Sequence, residues 1–202
     1  PVATVKSISR NVLAKITGSE HPDETVMFSG HWDAYGLGAP DAQGRKVRPG
    51  ANDDALGIAG VVELARLFKA GPRPKRTLVF AAWTAEERGL IGSQAYASNP
   101  VYPLSKTVAN LTLDVLQTAG LSRDVLLVGA GQSDLEDDLA RAARKQDRTI
   151  TPETLPERGL FYRADHFSLA RQGVPVLLLM ALSGAPDLRE GGRPAGEKWL
   201  TD

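Results

Sequence analysis

"RTLVFAAWTAEERGLIGS", residues 76–93, begins as an unbroken apolar run and then presents two adjacent acids, Glu86 and Glu87, with Gly89 and Gly92 close behind. A run without alternation marks a strand covered on both faces of its sheet, which is how parallel sheets are built. Outward from it the chain repeats the same unit. "NVLAKITG" (11–18) and "TVMFSGHWD" (25–33) read as strands, with "HPDE" (21–24) as a turn between them. Residues 34–53 are rich in Gly, Pro and charge and show no periodicity, which predicts a loop. "DALGIAGVVELARLFKAG" (54–71) has the apolar spacing of a helix with a broad buried face, stopped by Gly71-Pro72. Further strands are expected in "TVANLTLDVL" (107–116), "DVLLVGAG" (124–131) and "VPVLLLMAL" (174–182). Further helices are expected in "GLIGSQAYASN" (89–99), in "SDLEDDLARAARKQD" (133–147, with Ser133 as N-cap) and in "DHFSLARQG" (165–173). Strands alternating with helices predict an α/β fold: a three-layer αβα sandwich on a mostly parallel central sheet. The 202 residues suit one sizeable α/β domain and are marginal for two.

Composition narrows the partners. Lys plus Arg and Asp plus Glu both number 24, so the formal charge is zero and no nucleic acid or anionic membrane partner is expected. The longest apolar run, 174–182, is far short of the roughly 18 residues of a membrane span. Cysteine is absent, which rules out disulfides and thiolate metal sites. The sequence opens on Pro1 rather than Met, so a processed or trimmed N-terminus is expected, and with it a secreted or periplasmic location.

In an open α/β sheet, ligands bind beyond the carboxyl ends of the strands. His31 and Asp33 follow one predicted strand, Glu86 and Glu87 a second, and Asp114 a third, while Asp53 and Asp54 precede a helix. Each has an ordinary explanation: a core histidine, a helix cap, a solvated acid pair, a turn cap. Together they are harder to explain that way, because clustered ionised groups are costly to bury without a cation or a network of partners. Imidazole and carboxylate are zinc ligands at about 2.0–2.2 Å. Several carboxylates with one or two imidazoles could hold a metal pair about 3.5–4 Å apart. Asp33 could steady the second ring nitrogen of His31 from outside.

"GHWD", "PGANDDALG", "TAEERGLIGS", "LTLD" and "YRADHFSLARQGVP" resemble, in order and spacing, the co-catalytic zinc exopeptidases of metallopeptidase family twenty-eight. The resemblance runs from about residue 10 to residue 182. It implies two zinc ions: His31 and Asp114 on one, Glu87 on the other, Asp53 bridging both. It further implies Glu86 as general base and Asp33 as the orienter of His31. A peptide substrate is implied, with an aminopeptidase as the leading activity and Tyr162 and His166 lining the pocket that reads the first side chain. Two other enzymes share the scaffold: a carboxypeptidase of the glutamate carboxypeptidase type, for which Arg158 or Arg163 could receive a substrate carboxylate, and glutaminyl cyclase. A catalytically silent, transferrin-receptor-like binding domain is the non-enzyme alternative. Asp54 and Leu56 stand where the family commonly has Asn and Ser. The family's last zinc ligand, a His in a Tyr-His segment after the final strand, has no counterpart here. Three explanations are open: the native chain continues and supplies that His, which is the favoured one; His166 or water takes its place; or this form holds one of its two ions weakly.

Overall fold

The apolar run at 76–83 becomes β5 (Arg76–Trp83) of a five-stranded sheet in the computed structural model, which describes residues 6–201. Its neighbours are β1 (Val12–Ile16) on one side and β2 (His21–His31) on the other, followed by β6 (Thr107–Leu113) and β9 (Val176–Leu179). Strands β5, β2, β6 and β9 run parallel, and only β1 is antiparallel.

Side chains of β5 alternate between two cores, as the pleat requires. Leu78 and Phe80 pack with Val61 and Leu113 beneath α1 (Leu56–Ala70). Val79, Ala81 and Trp83 join Met27, Tyr96 and Leu169 on the other face. Tyr96 comes from α2 (Ile91–Ser98) and Leu169 from α4 (His166–Ala170), so helices cover both faces and three layers result. Trp83 and Tyr96 lie 5.0 Å apart between ring centroids.

The register places the functional residues. His31 sits opposite Trp83, and Ser29 opposite Thr112, so β2, β5 and β6 end nearly level. Whatever follows those strands meets at one edge of the sheet. The long loop carries a two-strand hairpin, β3 (Gly36–Leu37) with β4 (Val47–Arg48).

Four local expectations need correction. "HPDE" is not a turn but the start of β2, where a bulge between His21 and Thr25 absorbs the extra residues. Its charges stay in solvent, Glu24 pairing with Arg76 at 2.6 Å. The strand expected at 107–116 stops at Leu113, because Val115 turns into the left-handed region at φ 49°. The strand at 124 is β7 (Asp124–Leu127), and it pairs with β8 (Thr149–Pro152) outside the main sheet. The buried Asp124 carboxylate accepts from Thr151 Oγ1, Asp187 N and Arg193 Nη2, partners that lie off the main sheet. Ser133 does not cap α3 (Leu135–Arg144): its hydroxyl has no partner, and Glu136 instead folds back to accept the N–H groups of Gly131 and Gln132. The sequence reading also passed over α5 (Gly192–Thr201), whose Trp199 donates to Thr118 Oγ1 at 3.2 Å. Among the described residues no helix is long and apolar enough to cross a membrane.

Candidate metal centre and its cleft

His31 ends β2 almost fully buried, and its two ring nitrogens face different partners. Nδ1 lies 3.2 Å from the main-chain oxygen of Asp33, which can only accept, so Nδ1 carries a hydrogen there. Nε2 therefore points into the cluster: 3.0 Å from Asp53 Oδ1, and 3.9 Å from both Asp114 Oδ1 and Glu86 Oε2. His31, Asp53 and Asp114 each offer one ligand atom, and all three atoms lie within 4.8 Å of one another. The sequence placed these residues at strand and helix ends, and the sheet brings them together.

The two adjacent acids separate in space. Ala85, at φ 54°, turns the chain sharply after β5 and sends Glu86 inward, its side chain 11% exposed. Glu87 stands outside the His31–Asp53–Asp114 group, flanking Asp53 and Tyr35, with Oε1 buried and unpartnered. Non-glycine residues pay about 1–2 kcal/mol to adopt the left-handed region. Ala85 and Val115 both do so beside a site acid, the usual setting for such backbone outliers.

Asp53 and Asp54 part company too. The peptide bond between them is cis. Asp53 faces His31, while the fully buried Asp54 accepts the N–H of His31 at 3.0 Å and that of Gly57 at 3.0 Å. Asp54 thus caps the start of α1 and ties it to the end of β2. Gly57 and Gly30 make room for it: a Cβ would fall 2.1 Å from Oδ1 at Gly57 and 2.7 Å from Oδ2 at Gly30.

Asp33 holds more than was expected of it. Its side chain is 3.6 Å from His31 Nδ1, and its principal hydrogen bonds come from the backbone N–H groups of Glu86 and Glu87. The ring is oriented mainly by the Asp33 main chain, and the Asp33 carboxylate locks the acid-bearing turn.

Crowded charge marks the site. Burial alone would lower the His31 imidazole, but the Asp53 hydrogen bond and the charges of Asp114, Glu86 and Asp54 raise it to about 10. Burial pushes Glu86 up to about 8, against the pull of His31 and helped by Asp165, Asp114 and Glu87. Burial likewise raises Asp114 to about 6 and Asp54 to about 8. A cluster in which carboxylates resist ionisation and one imidazole refuses to lose its proton is a cluster short of positive charge.

A cleft of about 550 Å³ opens over this centre. Tyr35, Asp53, Glu86, Glu87 and Asp114 line it, and so do Tyr162 and Arg158, Arg163 and Arg171. Tyr162 is 62% exposed, as a pocket residue should be. His166 is not a pocket residue. It is fully buried, packed edge-on against Phe161 at 4.9 Å, with both ring nitrogens unpartnered, and burial lowers it to about 3. Its place in the first turn of α4 points it into the core. The neighbouring Asp165 is a buried acid whose charge reaches the centre. It is 1% exposed, burial raises it to about 7, and its charge acts on Glu86. An acid in the apolar setting of "YRADHFSLA" was the available signal.

The family model described as Peptidase family M28 matches residues 11–199. A probable zinc metalloprotease of Pyrenophora teres f. teres is 41% identical over 105 residues, 52% of this chain and 22% of that protein. Bovine carboxypeptidase Q is 43% identical over 89 residues, 44% of this chain and 17% of that protein. The matched stretch is thus less than a quarter of the length of either relative. Among solved structures, an aminopeptidase from Aneurinibacillus sp. strain AM-1 superposes with a TM-score of 0.64 at 26% identity, covering 84% of this chain and 38% of that one.

Proposed function

The chain belongs to peptidase family M28, and from that premise we propose that it is the catalytic core of a zinc-dependent exopeptidase, an aminopeptidase that removes N-terminal residues from peptides. The observation that carries the reading is the convergence of His31 Nε2, Asp53 and Asp114 within 4.8 Å, with the Glu86 carboxylate beside them. One imidazole with carboxylates is a donor set suited to zinc. The unpartnered, buried Glu87 Oε1 supplies a further oxygen donor next to Asp53.

In this reading His31 and Asp114 would hold one ion, Glu87 a second, and Asp53 would bridge. Bound zinc supplies a Lewis acid that polarises a carbonyl and makes water more acidic. Glu86 takes a proton from the attacking water and returns it to the amine nitrogen as the C–N bond breaks. Asp33 fixes the turn from which Glu86 projects, and Tyr162 forms part of the cleft that receives the first residue.

The similarity to carboxypeptidase Q and the arginines of the cleft favour a second reading, a carboxypeptidase. Metal analysis and a panel of aminoacyl anilides and N-acylated peptides decide between them. Hydrolysis of anilides, abolished by chelator and restored by zinc, is the expected result. Cleavage of the acylated peptides alone favours the carboxypeptidase. Bound zinc with neither class cleaved rejects the peptidase assignment.

A further inference from the structure

A second cavity lies beside β9, apart from the centre and its cleft. β9 is the edge of the main sheet, and β7 pairs with β8 instead of joining it. Between β9 and β7 a cavity of about 590 Å³ remains. Leu116, Leu121, Val125, Leu179 and Met180 give it apolar walls, and Leu121 is 77% exposed. Arg148 and Arg189 line it as well. Of all its lining residues, only Met180 also lines the cleft over the metal centre.

The arginines of this region fall into two pairs. Arg123 and Arg193 hold carboxylates: Arg123 Nη1 donates to Asp187 Oδ1 and Arg193 Nη2 to Asp124 Oδ2, each at 3.2 Å. Arg148 and Arg189, the two that line the cavity, hold none. Among the described residues the arginine ion pairs all belong to Arg45, Arg66, Arg76, Arg123, Arg141 and Arg193. Arg148 is fixed through Nε and Nη2, which donate to the Asp124 main-chain oxygen and to Ser122 Oγ. Its Nη1 has no hydrogen-bond partner among the described residues. Arg189 spends only Nη2, on the Gln146 oxygen at 3.3 Å.

Burial and the nearby charge of Arg189 hold Arg148 below the usual arginine range, against the pull of Asp124. Asp124 is the one carboxylate in the lining, and it is already taken. It is 3% exposed and accepts from Thr151 Oγ1, Asp187 N and Arg193 Nη2. An anion would relieve the repulsion between the two guanidinium groups, and their planar forks suit a carboxylate. An amine would find no free acid here, so a peptide or amino-acid zwitterion is a poor match.

We infer that this cavity binds a small organic carboxylate with an apolar body. The carboxylate sits on Arg148 and Arg189, and the hydrocarbon packs against Leu116, Leu121, Leu179 and Met180. The volume falls within the range of about 300–1,000 Å³ usual for small-molecule pockets, and apolar walls with a few placed polar groups are their usual lining.

Calorimetry on the zinc-loaded chain tests this with hydrocinnamate, its neutral amide and acetate. Hydrocinnamate should bind at least about tenfold more tightly than the amide, the usual scale of a hydrogen bond to a charged group. It should exceed acetate by a similar factor, because acetate has almost no apolar body to bury. Arg189→Gln should weaken hydrocinnamate about tenfold, and the position is exposed, so the fold should tolerate it. Arg163→Gln and His31→Ala alter the cleft and the metal centre, and both should leave hydrocinnamate binding unchanged. Undetectable binding of hydrocinnamate at millimolar concentration overturns the inference. So does equal binding of the amide or of acetate, or affinity that survives Arg189→Gln. Affinity lost in Arg163→Gln or in His31→Ala places the ligand in the cleft and overturns it too.

Discussion

One oxygen of the Asp33 carboxylate accepts the backbone N–H of Glu86 at 3.0 Å, and the other accepts that of Glu87 at 3.3 Å. The end of β2 and the turn after β5 are thereby fastened together at the point where Glu86 and Glu87 leave the chain. Supporting groups of this kind commonly matter by 10–100-fold, as an order of magnitude. Asp33→Ala should lower kcat by roughly that factor, and Asp33→Asn should lose less, since its amide oxygen still accepts one N–H. Steady-state kinetics on an aminoacyl anilide measure both.

Glu86→Gln separates proton transfer from metal binding. A positioned acid–base group contributes about 10²–10⁴-fold, so kcat should fall by that order while zinc, counted by atomic absorption, stays bound. His31→Ala should do the reverse and lose the metal. Zinc at a hundred times its dissociation constant should stabilise the parent by about 2.7 kcal/mol and leave His31→Ala unmoved in a thermal melt.

Gly57→Ala tests how Asp54 is seated. In an ordinary helix interior the change would stabilise by up to about 1 kcal/mol. Here the new Cβ meets Asp54 Oδ1 at 2.1 Å, and overpacking of this kind costs about 1–3 kcal/mol. The expected outcome is a melting temperature several degrees lower, at about 2–4 °C per kcal/mol for a domain of this size. A rise in melting temperature would contradict the packing described.

Acid should act through His166. Its value in the folded protein, about 3, is below the 6.5 of the free side chain. The unfolded chain therefore takes up the proton first, and the stability His166 contributes above pH 6.5 is lost as pH falls towards 3. Asp165, raised to about 7 from 3.8, has the opposite sign: its contribution is present below 3.8 and lost as pH rises towards 7. Because Asp165 is common to parent and variant, the difference between them isolates the histidine. Between pH 7.5 and 4.5, metal-free His166→Phe should gain about 2–3 kcal/mol relative to the parent in denaturant titrations at the two pH values.

Long, strongly patterned elements were legible in the sequence, and so was the position of each acid at the end of one. The apolar run of β5 and the broad face of α1 declare themselves, because burial on two faces or one leaves a periodic trace. What escaped was decided by long-range contacts. Residues 21–24 look like a turn until Arg76, fifty-two positions beyond Glu24, becomes their neighbour. Ser133 is a good cap residue by type, yet the helix begins beyond it at Leu135, its hydroxyl has no partner, and Glu136 folds back onto the amides of the preceding loop. His166 follows a polar residue in sequence and ends in the core, since the direction of a five-residue helix cannot be read from its own composition. Asp33 sits at the right spacing for His31, but its strongest ties run to amides that no sequence motif displays.

Asn11 sits at the margin of the sheet, just before β1, and its amide bridges Thr84 N at 3.1 Å and Gly92 O at 2.8 Å, clasping the segment that bears Glu86 and Glu87. Segments near chain ends and with little packing open first, so this clasp ties the acid-bearing turn to the margin of the sheet. Warming or mild urea should silence turnover while the circular-dichroism signal is still intact, and an early collapse of catalysis would betray the loosening of a strand that lies outside the cleft.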